Sequence, residues 1–174
     1  RSRGVIITLD ESDIETIADL KGKSMLFGPT LAPTGFMSQA DVMQQNGIDP
    51  EDDLGFYTIP SGSWKHEKVI YGVLFEMYDA GSLPLDDVES MAEQGRINRG
   101  DFRIIGQGPD MPYCNFAVTS RVDKNFAKRF KDVMLAITPE DTVIIGNETL
   151  RVLKQAKIDG YEDGNIMGLE SKTS

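Results

Sequence analysis

Ser24-Met25-Leu26-Phe27-Gly28-Pro29-Thr30-Leu31-Ala32-Pro33-Thr34-Gly35-Phe36 reads as a short buried strand, a Gly-Pro-Thr-rich loop and a helix start. The same passage from apolar stretch to helix start recurs twice. Phe56-Tyr57-Thr58-Ile59 runs into Ser63, and Asp79-Ala80-Gly81 runs into Ser82-Leu83-Pro84. With the apolar stretches as parallel strands, three helix N-termini face one crevice at the carboxyl edge of a sheet. Each brings unpaired backbone N–H groups and the positive end of a helix dipole, which together hold an anion without a catalyst. Ligand capture therefore leads over catalysis.

Working outward, the β-rich Val5-Ile6-Ile7-Thr8-Leu9 predicts a strand. Ser12-Asp13 predicts the cap of a short helix carrying Ile14, Ile17 and Ala18, with Gly22 as its stop. Residues 36–46 are helical in pattern, with Phe36, Ala40 and Met43 on one stripe, and residues 54–59 give a strand. Ile70, Val73, Leu74 and Met77 keep helical spacing, Leu85, Val88, Met91 and Ala92 mark another helix, and residues 102–106 a further strand. This β–α alternation predicts an open α/β lobe with a mostly parallel sheet.

Asn115-Phe116-Ala117-Val118-Thr119 predicts a second strand like residues 5–9, so that two crossing strands bracket the lobe and form a hinge. Beyond it, Phe126, Phe130, Val133, Met134 and Ile137 make a wide apolar helix face. Thr138-Pro139-Glu140-Asp141 reads as another helix start, and Leu150, Leu153 and Ala156 as a last helix.

Composition narrows the function classes. Among 174 residues, 28 are acidic and 18 basic, a net charge of -10, which argues against a nucleic-acid or anionic-membrane surface. A small anion remains compatible, because local dipoles act inside the roughly 8 Å screening length of physiological salt. The single cysteine, Cys114, allows no intrachain disulfide and no cysteine-based metal cluster. No apolar run approaches the roughly 20 residues of a membrane span. The start on Arg1-Ser2-Arg3-Gly4, without methionine, reads as a processed or truncated product.

The order of segments resembles the phosphonate-type periplasmic solute-binding proteins of ABC transporters. The residues that carry it are Val5-Ile6-Ile7, Asp19-Leu20-Lys21-Gly22-Lys23, Pro33-Thr34-Gly35-Phe36, Asn46-Gly47-Ile48-Asp49-Pro50, Gly62-Ser63 with His66-Glu67, Asp79-Ala80-Gly81, Phe102-Arg103-Ile104-Ile105 and Met111-Pro112-Tyr113. Near the end, Val152-Leu153-Lys154 and Ile158-Asp159-Gly160 look like the family's closing helix, so the resemblance spans roughly residues 5–160. It implies a type II periplasmic-binding-protein-like α/β fold. Residues 10–112 would be ligand-binding lobe two, and 1–9 with 113–174 the crossing strands and C-terminal helices of an incomplete lobe one. The opening third of a typical member is expected to be missing. The implied function is non-catalytic binding of a small oxyanion (phosphonate, phosphite or phosphate) in a bacterial periplasm, for an ABC-transporter permease, by hinge closure. No cofactor or metal is implied. A ligand-sensing ectodomain of a membrane histidine kinase or diguanylate cyclase is the alternative, since residues 94–103 also resemble such ectodomains.

The resemblance assigns candidate ligand residues, each with a plainer reading beside it. Ala32-Pro33-Thr34-Gly35 stands where the family carries a Ser-Thr-Ser-Gly anion loop, which puts the Thr34 hydroxyl and the backbone of Gly35 and Phe36 at the ligand; Thr34 is otherwise a plain N-cap. His66, the one histidine, matches the family's His-Glu or His-Asp position and would donate to a ligand oxygen; otherwise it is a satisfied structural residue. Ser61 and Ser63 add hydroxyls, with Ser63 equally an N-cap. Asp79 is either a ligand contact or a carboxylate bonded to neighbouring amides. Asp86 falls where aminophosphonate binders place a Glu for the ligand's ammonium group, and is otherwise a solvated acid. A second acid of those binders aligns with Cys114, which argues against an aminoalkyl ligand. Tyr113, Trp64 and Phe36 wall the crevice or pack in the core. An enzyme fits poorly: there is no second histidine, no Cys–His pairing and no metal-ligand cluster.

Overall fold

Val5, Ile6 and Ile7 are buried completely, which an exposed crossing strand does not require but an inner strand covered on both faces does. The computed structural model describes residues 2–111, 116–153, 158 and 160–163, and the chain falls into two units, 1–113 and 114–174. In the first unit, β1 (Gly4–Leu9), β2 (Ser24–Phe27), β3 (Phe56–Thr58), β4 (Ala80–Pro84) and β5 (Phe102–Gln107) form one sheet in the order β3-β2-β4-β1-β5. β2 runs parallel to β3 and β4, while β1 is antiparallel to both β4 and β5. Four strands therefore share a direction and β1 runs against them.

This corrects the expected place of residues 1–9 outside the lobe: β1 lies within its sheet. The pairing of the incoming and outgoing chain is found instead at Ser2 and Met111, whose amides and carbonyls exchange hydrogen bonds of 2.8 and 2.7 Å. Arg3 adds Nε to Asp110 Oδ1 at 2.8 Å across the same two segments. Residues 116–119 form no strand, and Asn115 lies outside the described residues.

Strand periodicity divides the core. Val5, Ile7, Leu26 and Leu83 face α2 (Lys65–Leu74) and α3 (Leu85–Glu93), packing with Val69, Ile70, Val73, Val88 and Met91. Ile6, Met25 and Phe27 face the other layer with Ile14, Ile17, Leu20 and Met43. That layer contains α1 (Ser38–Gln45), preceded by a π turn over Pro33–Met37. The expected helix after Ser12 is a single 3-10 turn, Ile17–Leu20, and Asp19 accepts the Thr16 N–H at 2.8 Å; the cap lies later than Ser12-Asp13. α2 ends at Leu74, and Met77, expected on its apolar stripe, is exposed.

In the second unit, α4 (Lys124–Ala136) begins where Asp123 accepts the Phe126 N–H at 2.9 Å. Its apolar face packs in part on an aromatic cluster, with Phe130 5.8 Å from Phe116 between ring centroids, but no α4 residue is fully buried. Thr138 to Asp141 does not open a helix. Asp141 accepts the Thr138 N–H in a turn that feeds a hairpin, β6 (Thr142–Ile145) and β7 (Glu148–Arg151), joined through Gly146 at φ 62°. Leu150 is therefore in a strand, and most of the expected last helix lies outside the described residues.

Candidate functional site

β2, β3 and β4 are parallel neighbours, so their carboxyl ends lie at one sheet edge, and each runs on into a helix: the π turn and α1, α2, and α3. These helices begin on Ala32, Trp64 and Pro84, none of which supplies a side-chain cap. Elsewhere Asp123 and Asn98 do so, the latter accepting Gly100 N–H at 3.1 Å. The three starts at the carboxyl edge thus lack side-chain caps, while the Leu85 N–H reaches Arg3 O at 2.9 Å and the first turns of α2 and α3 carry Glu67, Asp86 and Asp87.

The first loop is shaped by backbone contact. Gly28 N–H is shared between Gly35 O at 2.9 Å and Ser82 O at 3.0 Å, and the Ser82 hydroxyl donates to Gly35 O at 2.7 Å. Thr34 is buried inside the π turn, two residues past the N-cap position, so it is not the cap. The N–H groups of Gly35 and Phe36 point back to Ala32 O at 3.2 and 3.1 Å. They are thus engaged within the turn, and the Phe36 ring packs on Phe27 with centroids 4.7 Å apart. Phe36 is partly buried here and packs against the core.

At the second helix start, Arg96 grips the Glu67 carboxylate at 2.8 and 3.1 Å, and Lys68 Nζ donates to Ser61 O at 2.7 Å. Between them His66 is held with Nδ1 2.6 Å from Asp87 Oδ2, in the first turn of α3. His66 Nε2 is buried and without a hydrogen-bond partner. It faces the first loop: a methyl group on Gly35 would lie 3.4 Å from it. The structure thus brings Gly35 and His66 together, with Thr34 buried one residue before Gly35. Ser61 and Ser63 lie on the exposed loop before α2, and neither caps it, because Trp64 holds that position at φ 58°.

The other assignments separate. Asp86 is exposed on the first turn of α3, one residue before the acid that meets His66. Tyr113 lies outside the described residues. Asp79 precedes β4 and sits at the opposite sheet edge, accepting Ser24 N–H at 2.7 Å and the Ser24 hydroxyl at 2.6 Å. This is the amide-bonded carboxylate, away from the helix starts. Burial pushes the Asp79 carboxyl up, but the Ser24 hydroxyl and amide, with Lys23 nearby, outweigh it and hold it below the usual carboxylate range. A depressed folded-state value stabilises above the unfolded value of about 3.9 and is lost as pH falls through the folded value. Asp79→Asn is therefore expected to cost about 1–2 kcal/mol at pH 7 and less at pH 2, measured by urea unfolding. Equal loss at both pH values would contradict it.

Two residues were missed from sequence. Asp87 forms an Asp-Asp pair with Asp86, so its helical phase relative to His66 was the missing information. Lys68 follows His66 by two residues and brings a cation under the Ser61–Gly62 loop, 3.6 Å from where a Gly62 methyl would lie. Among the described residues no group of three or more His, Cys, Asp or Glu is placed to hold a metal ion, and no helix is long and apolar enough to cross a membrane.

Residues 1–167 match the family model described as the phosphonate ABC transporter periplasmic substrate-binding protein, and the chain belongs to that family. It is a family of substrate-binding proteins rather than enzymes. Solved structures share the fold at low identity. A binding-protein component of an ABC phosphonate transporter from Pseudomonas aeruginosa is 14% identical with a TM-score of 0.59, over 77% of this chain and 45% of that one. A Prochlorococcus marinus protein in complex with methylphosphonate is 16% identical with a TM-score of 0.60, over 80% and 54%. A Xanthomonas citri protein bound to ATP is 18% identical with a TM-score of 0.60, over 77% and 51%. The chain spans about half the length of these proteins, and the type II periplasmic-binding α/β fold is common to them.

Proposed function

We propose that the five-stranded unit captures a small phosphorus oxyanion of the phosphonate class for uptake by an ABC-transporter permease outside the bacterial cytoplasm. The observation that carries this reading is the gathering of three uncapped helix starts beside the unpartnered Nε2 of His66. The helix dipoles and one imidazole suit an oxyanion, although the Gly35 and Phe36 N–H groups would first have to leave Ala32 O to meet it. On this reading residues 1–113 form the ligand-binding lobe, residues 114–174 belong to lobe one, and closure bends the chain near the Ser2–Met111 pair. Ligand then stabilises the closed arrangement by its differential affinity.

The Prochlorococcus protein's methylphosphonate makes that compound the first probe. Trp64 is the single tryptophan, is 73% exposed, and stands two residues from His66, so its emission reports on this edge. Titration of the full chain with methylphosphonate, phosphite and phosphate is expected to give a saturable change in Trp64 fluorescence. A matching rise in melting temperature is expected, corresponding to about 2.7 kcal/mol at a hundredfold excess over Kd. Unchanged fluorescence and melting with all three compounds would reject the reading.

A further inference from the structure

His66 makes one polar contact, and that contact dictates what its other nitrogen offers. The ring Nδ1 stands 2.6 Å from Asp87 Oδ2. An ionised carboxylate only accepts hydrogen bonds, so Nδ1 carries the proton. In the neutral ring Nε2 is then a bare lone pair, and it is this buried, unpartnered atom that faces the Gly35 loop. A bare lone pair repels a fully deprotonated oxyanion. It binds one only if a proton sits between them, supplied by solvent to the ring or carried in on a ligand hydroxyl.

We infer that Asp87 fixes His66 in the Nδ1–H form so that Nε2 shares one proton with a bound oxyanion, selecting oxyanions that ionise near neutrality over sulfonates. This rests on the oxyanion reading above and adds a rule of selection to it. A phosphonate, phosphite or phosphate brings its own proton as the monoanion. A sulfonate has none to bring, and requires the ring to be protonated first.

Among the described residues no competing titratable group is recorded at Nε2. Asp87 is the acid facing the ring from α3, with Asp86 exposed in the same turn. The π turn over Pro33–Met37 contributes no charge, and β4 contributes Ser82, whose hydroxyl is committed to Gly35 O. On α2 itself, Glu67 is held by Arg96, Lys68 by Ser61 O, and Lys65 completes the charged groups of the first turn. The complex thus carries one proton that neither partner holds alone at high pH. Linkage makes its affinity fall about tenfold per pH unit once both free partners are deprotonated.

The experiment has two arms on the full chain. Because His66 is the one histidine, ring-nitrogen NMR at pH 8.5 reads its tautomer without ligand. Nδ1 is expected to be protonated in the wild type and Asp87→Glu, and Nε2 in Asp87→Ala. In the binding arm, Kd for methylphosphonate and for methanesulfonate is measured from pH 5.5 to 8.5. The preference for methylphosphonate is expected to grow by about tenfold across the range in the wild type, and to be flat in Asp87→Ala. A protonated Nε2 in the wild type overturns the proposal whatever binds. Methylphosphonate binding with a preference that does not change with pH also overturns it, and leaves the oxyanion reading standing. Absence of binding by both compounds at every pH overturns the oxyanion reading itself, and with it the proton sharing.

Discussion

Phe27→Ala is expected to destabilise the first unit by about 3–5 kcal/mol, the usual cost of emptying a fully buried aromatic site. Phe27 has no exposed surface and ends β2, where its ring stands 4.7 Å from Phe36 and 5.4 Å edge-on from Tyr57. Both neighbours are committed elsewhere. Phe36 is fixed by the π turn, and the Tyr57 hydroxyl donates to Glu51. The void therefore cannot be filled by a simple ring rotation, and the cost should fall in the upper part of that range. For a unit of this size the melting temperature should drop by roughly 12–20 °C. Leu31→Ala in the adjoining loop is the control: Leu31 is 89% exposed, and its loss should stay within about 0.5 kcal/mol. A Phe27→Ala loss below about 1 kcal/mol would show that the β2 end is not a packed core.

The same residues explain what sequence reading reached. The three strand-to-helix junctions were legible because a short apolar run, a Gly/Pro/Ser loop and a helical stripe follow one another without ambiguity. The place of β1 was not. A wholly apolar five-residue run suits a crossing strand and an inner strand alike, and only its partners, β4 and β5, tell them apart. The β6–β7 hairpin did leave a signal that was passed over. Val143-Ile144-Ile145-Gly146-Asn147-Glu148-Thr149-Leu150 is strand, Gly-Asn turn and strand, yet Thr138-Pro139-Glu140-Asp141 outweighed it as an apparent helix start.

At the site, His66 was reached through the family resemblance, which also singled out Asp86 for a ligand ammonium group and passed over its neighbour Asp87, the acid that meets the ring. One step along a helix turns a side chain by about 100°, which puts Asp87 at the imidazole and leaves Asp86 in solvent. Asp79 was drawn toward the ligand because strand limits are uncertain from sequence by a few residues. With β4 beginning at Ala80, Asp79 falls at the amino edge, across the sheet from the helix starts.

Gly28→Ala and Gly35→Ala should separate the stability of the Gly28–Gly35 loop from its proposed role in binding. Neither glycine has a positive φ, so alanine meets no backbone strain at either position, and the effects come from contact alone. A methyl on Gly28 would lie 2.8 Å from Gly35 Cα and 2.9 Å from Gly35 O. Those are backbone atoms that no rotamer can move, and the same glycine's N–H holds Gly35 O and Ser82 O. The loop must shift bodily, at about 1–3 kcal/mol. The methyl of Gly35→Ala meets softer neighbours, Ala32 Cβ at 3.2 Å, Gly28 Cα at 3.3 Å and His66 Nε2 at 3.4 Å, so its cost to folding should be below about 1 kcal/mol. It nevertheless caps the nitrogen proposed to meet the ligand. Gly28→Ala should therefore lower both melting temperature and methylphosphonate affinity. Gly35→Ala should lower affinity by about tenfold or more, the equivalent of about 1.4 kcal/mol, with melting nearly unchanged. Thermal unfolding and Trp64 titration on the two variants measure both quantities. Full methylphosphonate affinity in Gly35→Ala would remove His66 Nε2 from the binding surface, and unaltered stability in Gly28→Ala would mean that the two loop segments do not touch as described.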